Sequence, residues 1–144
     1  MTLALAQANL IVDAAIQKAR HLEVDICVAV CNKLGRLIAL NRMDGAYETV
    51  DLAAVGRAVA SAGTGLPSGE AVGVDRGCLD IATALGEGMP AICSRGGLPI
   101  LGHDGQIEGG CGVAGAHSGE QDEECARAGI ASFRVDEERL SGKT

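Results

Sequence analysis

Apolar residues recur at helical spacing through the opening segment: Leu3, Ala6, Leu10, Ile11, Ala14, Ala15, Ala19 and Leu22 fall on one stripe. That spacing predicts a helix capped by Thr2, with Lys18 and Arg20 near the negative pole of its dipole. The period then changes. DICVAVC (25–31) is a short β-branched run, Asn32 to Gly35 interrupts it, and RLIAL (36–40) follows, which together read as a β-hairpin. An Ala/Val-rich stretch from Glu48 to about Ala62 predicts a second helix with Gly63 as its stop. A glycine-punctuated loop (64–74) and a short helix (75–85) come next. PAIC (90–93), LPIL (98–101) and IEGGCGVAG (107–115) predict three strands, the last two joined through Asp104-Gly105, a strong hairpin signal. Ser118 to Gln121 fits a capping box that opens a final helix to about Ser132. The expected organisation is one domain over 1–133 and a polar tail over 134–144.

Strands joined by such short turns must run antiparallel, because parallel neighbours need a crossover of about a dozen residues. This bears on Gly110, Gly112 and Gly115, which spell the G-x-G-x-x-G of a dinucleotide-binding turn. That fingerprint works between the first strand and helix of a βαβ unit. Here it lies on the last strand, and only a polar tail containing Asp136 follows its helix. This context argues against a coenzyme turn, and none is expected. The bare positions Gly109, Gly110 and Gly112 instead predict that something flat comes very close: a packed helix, a neighbouring subunit or a ligand.

Composition narrows the picture. The chain has 21 glycines, no Trp, one Tyr and one Phe, so its core must be built from Ala, Val, Ile, Leu and Cys. A net charge of −7 with scattered Lys and Arg argues against nucleic acid, which is held by clustered cations. The first segment carries Asp13 and Gln17 with no basic lead-in, and no apolar run is long enough to span a bilayer. A cytoplasmic protein away from the membrane is expected. The six cysteines form no C-x-x-C pair, and their expected role is that of small buried hydrophobes. No metal site is expected.

RMDGA (42–46), GGLPI (96–100), DGQIEGGCGVAG (104–115) and SGEQDEECARAG (118–129), in that order, resemble the GlcG/HbpS/PduO C-terminal family, the haem-degrading or DUF336 family. The resemblance covers nearly the whole chain. It implies an α/β, profilin-like sandwich: a five-stranded antiparallel sheet with flanking helices. It also implies a homo-oligomer binding haem, a corrinoid or a related small cofactor. Three departures stand out. Arg57-Ala58 occupies the place of a Lys-Ala pair, Ala114 replaces a serine in G-V-S-G, and Ser118 replaces a threonine.

Among polar residues, His117 precedes the capping Ser118 at the positive end of the last helix, which favours a neutral imidazole able to ligate or donate. His21 ends the first helix, where a charged imidazole suits the dipole, and the resemblance implies a second role for it as a haem ligand; His103 in its turn is expected to be solvated. Arg42 and Asp44 flank Met43; the arginine is either an anchor for a carboxylate or propionate, or half of a surface pair that holds its loop. Glu120 and Asp122 are expected as anions of the helix start. Three functions follow. The first is a small oligomeric binding protein that takes haem, a corrinoid or a related cofactor in a glycine-lined pocket between subunits, with Gly109, Gly110, Gly112 and Ser118 at its wall. The second is an isomerase, hydrolase or lyase on a small carboxylic acid, with Arg42 as anchor and His117 moving protons. The third is an accessory subunit with no ligand.

Overall fold

A computed structural model of the chain describes residues 3–74 and 90–142. The predicted cap Thr2, the predicted helix at 75–85 and Cys78 lie outside the described residues. Helix α1 spans Leu5–His21, and its N-cap is Ala4, whose N–H donates to Gln7 Oε1 at 2.9 Å. The hairpin strands are β1 (Cys27–Asn32) and β2 (Leu37–Arg42). Helix α2 covers Val50–Thr64 and runs through Gly63, ending instead at Gly65, which takes the left-handed conformation that terminates helices. Strands β3 (Gly97–Leu101) and β4 (Ile107–Ala114) form the second hairpin.

Two expectations need correction. The described sheet has four strands, not five, in the order β2-β1-β4-β3 with every pair antiparallel. PAIC (90–93) joins no ladder; among its backbone groups, Ile92 N–H bonds to the carbonyl of Gly56 on α2. The last helix, α3, spans Gly119–Leu140 and so absorbs most of the predicted tail. Val135, Asp136, Glu137 and Glu138 look like tail because most are charged, yet Phe133 and Glu137 are buried and carry the helical stripe onward.

Helices α1 and α3 cover one face of the sheet and α2 the other. On the first face Ile11, Val12 and Phe133 pack on Val28, Val30, Ile100 and Val113. On the second, Ala54, Ala58 and Val59 pack on Cys27, Ala29 and Cys31. The central strand β1 is buried on both sides.

The bare positions of β4 explain how α2 sits so close. A Cβ on Gly112 would stand 1.9 Å from the Ala54 carbonyl oxygen, and one on Gly110 would stand 2.1 Å from that of Ala58. A Cβ on Gly109 would meet the Cys31 carbonyl at 2.1 Å. Gly110 and Gly112 thus lie under the backbone of α2 and Gly109 against that of β1, and all three are buried within the chain. Replacing Gly112 by Val should therefore cost about 3 kcal/mol or more in urea unfolding, because backbone and not a flexible side chain is in the way. A wild-type unfolding curve would contradict this packing.

Cys27, Cys31, Cys111 and Cys125 are fully buried, and Cys93 is half-buried. Burial pushes the Cys27 and Cys125 thiols up to about 11 and Cys31 up to about 12, and raises Cys111 as well. The thiolate is the reactive form, so these groups are inert at neutral pH. Brief alkylation of the folded protein, read by peptide mass spectrometry, should label Cys93 well before any of the four.

Candidate functional site

The antiparallel register collects one end of several elements at one end of the sheet. Cys27, where β1 begins, pairs with Arg42 at the end of β2 on one side and with Ala114 at the end of β4 on the other. Two inter-strand spacings put Arg42 and Ala114 about 10 Å apart across this row. Helix α1 ends just before β1, α2 starts just beyond β2, and α3 starts just beyond β4. His21, Arg42, Asp44, His117 and Ser118 all belong to these ends. His103 does not, since it lies in the β3–β4 turn at the other end, its Nδ1 3.0 Å from Glu137 Oε1.

Beside this row lies a cleft of 660 Å³ lined by Ile16, Arg20, Asp25, Leu40, Asn41, Arg42, Met43, Asp44 and Gly45. Its size suits a small-molecule site. Leu40, Met43 and Ile16 supply apolar wall; Arg20, Arg42, Asp25 and Asp44 supply charge. The Met43 sulfur already accepts the Ile26 N–H at 3.3 Å. The Arg42 guanidinium donates to the carbonyls of Ala46, Tyr47 and Glu48 and stands 4.0 Å from Asp51. Its acidic neighbour is thus Asp51 rather than Asp44, and it shapes the loop that leads into α2. Arg20, whose sequence position marks it only as a helix-end cation, lines the same cleft with no ion-pair partner among the described residues.

On the far side of the row, β4 turns into α3. Ser118 caps the helix, its Oγ accepting the Gln121 N–H at 3.2 Å. The other half of the predicted box differs: Gln121 Oε1 reaches back one residue further and accepts the His117 N–H at 3.0 Å. Asp122 Oδ1 accepts the Ala116 N–H at 2.9 Å. Consecutive side chains of α3 therefore grip consecutive amides of the turn, and His117 is left exposed on it.

Asp122 is more than a helix-start anion. It is buried, and its second oxygen lies 3.0 Å from Arg57 Nη1 on α2. Burial raises its carboxyl above the usual carboxylate range, against the lowering pull of the Ala116 amide and of Arg57. Glu120 behaves as expected, exposed and 3.3 Å from Arg95. Arg95 also pairs with Glu123, and both line a second cleft of 420 Å³ with Pro67, Gly69, Glu70 and Cys93. Among the described residues no three His, Cys, Asp or Glu side chains gather as a metal site. No described helix is long and apolar enough to cross a membrane.

Comparison with known proteins follows the same outline. The crystal structure of a double mutant of Streptomyces reticuli HbpS superposes with a TM-score of 0.76 at 30% identity, covering 91% of this chain and 86% of that one. Klebsiella pneumoniae protein ORFY, of the DUF336 family, gives 0.75 at 24% identity, covering 92% and 91%. A PduOC:haem complex gives 0.73 at 24% identity, covering 92% and 95%. No curated protein matches the chain in sequence. The family described as haem degrading protein HbpS-like matches residues 3–131, and the chain belongs to that family.

Proposed function

We propose that this protein binds haem or a related tetrapyrrole at the end of the sheet, in the cleft between α1 and the end of β2. The reading rests on one conjunction: a chain of the haem-degrading HbpS-like family carries, at one end of its sheet, a 660 Å³ cleft with apolar wall and two guanidinium groups. A tetrapyrrole offers a flat apolar body and, in haem, two carboxylates, and an Arg fork matches a carboxylate. The haem complex of PduOC, a protein of the same fold, supports the same ligand class.

The residues fit that group in a definite way. Arg20 and Arg42 would hold propionates, with Arg20 the more available because Arg42 spends donors on its own loop. Leu40 and Ile16 would bear on the ring. Met43 is poorly suited to ligate iron because its sulfur is engaged by a backbone amide. Neither histidine lines the cleft; the imidazoles that would ligate are those of His21, next to Arg20 in the chain, and His117, on the turn across the row of strand ends. Bound iron would supply redox and oxygen chemistry; the protein's part is to anchor, orient and shield. Gly109, Gly110 and Gly112 belong to the scaffold in this reading and not to the pocket wall. The cleft lies open, so a second copy of the chain is the natural cover for the other face of a flat ligand, and the protein works as a homo-oligomer.

Titration with hemin tests the reading directly. A saturable Soret shift is expected, weakened at least about tenfold by His21→Ala or Arg20→Ala. His117→Ala should shift the band and also weaken binding at least about tenfold. Absence of any saturable shift in the wild-type protein would remove the proposal. Sedimentation showing only a 14.6 kDa species with hemin bound would remove the oligomer.

A further inference from the structure

We propose that the Arg57–Asp122 pair is the positioning element of this site: it sets where the His117 turn stands, and through that turn how tightly an iron porphyrin is held. The inference rests on the functional reading above and adds a pair of residues lying outside the cleft itself.

The pair joins four segments. Arg57 on α2 donates from Nη1 to the Val113 carbonyl at 2.6 Å and to Asp122 Oδ2 at 3.0 Å, and from Nε to Ser94 Oγ at 3.0 Å. Asp122 on α3 accepts the Ala116 N–H with its other oxygen. Val113 is the penultimate residue of β4, and Ala116 lies just past its end. Val113 and Ala116 precede His117 and Asp122 follows it on α3, so the turn is tied to this ion pair before and after the histidine.

Stability alone does not account for such a pair. Its side chains are 15% and 5% exposed, and a buried ion pair is often no more stabilising than apolar residues of similar volume. What the charges supply is direction, since each bond fixes a particular backbone atom. The backbone also makes room for the guanidinium. At Gly96, where φ is +144°, a Cβ would lie 2.6 Å from both Arg57 Nη1 and the Val113 oxygen. The 90–96 segment thus passes the arginine bare, while Ser94 two residues earlier bonds to it.

Residues that orient a ligating group from behind typically cost about ten- to a hundredfold in affinity when lost. The double variant Arg57→Met with Asp122→Leu keeps the volume apolar and leaves no lone buried charge. It is expected to fold, to bind hemin about tenfold more weakly than wild type, and to exchange the His117 amide faster in the ligand-free protein. Arg57→Lys keeps the charge but cannot reach Val113, Ser94 and Asp122 at once, so a smaller loss in both readouts is expected. Wild-type hemin affinity and wild-type His117 exchange in a folded double variant would overturn the proposal. If the double variant does not fold, the same two results in Arg57→Lys would overturn it. If the wild-type protein takes up no hemin, the functional reading fails on its own, and His117 exchange in the variants still decides the positioning role.

Discussion

The contact on which this structure depends is backbone against backbone. Helix α2 lies on β4 so closely that carbonyls of Ala54 and Ala58 occupy the space where side chains of Gly112 and Gly110 would be. A core with a single phenylalanine can be close-packed in this way, by removing side chains where elements meet instead of filling wide gaps with rings. The same closeness has a geometric result. It brings Arg57, on the face of α2 toward the end of β4, within 2.6 Å of a strand carbonyl, which lets one guanidinium bridge α2, the strand and the α3 carboxylate that holds the following turn.

The architecture was legible wherever local chemistry decides it. Asp104-Gly105 between apolar runs marks the β3–β4 hairpin, and Ser118 ahead of an acidic turn marks the start of α3; both signals act within a few residues. Local signals mislead where distant packing overrides local preference. Gly63 lies inside α2 because the helix is held along β4, and the polar segment after Ser132 stays helical because Phe133 and Glu137 are buried against the fold. PAIC has the composition of a strand, but it meets α2 through Ile92 and Gly56 instead of a ladder.

Legibility of the site divides along the same line. That Arg42, Asp44, His21 and His117 share one end of the molecule follows from the hairpin order, which the sequence shows. Arg57 with Asp122 could not be read, since its partners are 65 positions apart and each looks like an ordinary helix residue. Arg42 poses the converse problem: its expected aspartate is two residues away, while its actual bonds go to carbonyls of the loop it precedes. Charge patterning gives identity but not direction, and the bonds that matter here are set by where the chain turns. The acidic start of α3 shows the point, with Arg95 answering Glu120 and Glu123 from a different segment and Lys18 of α1 answering Glu124.

Strand β1 is sealed on both faces and flanked on both edges, whereas the groups with chemical options lie where elements begin or stop. Val28 and Val30 have no side-chain hydrogen bonds to those termini, so substitutions at the rim and substitutions in the interior act on separable parts of the fold.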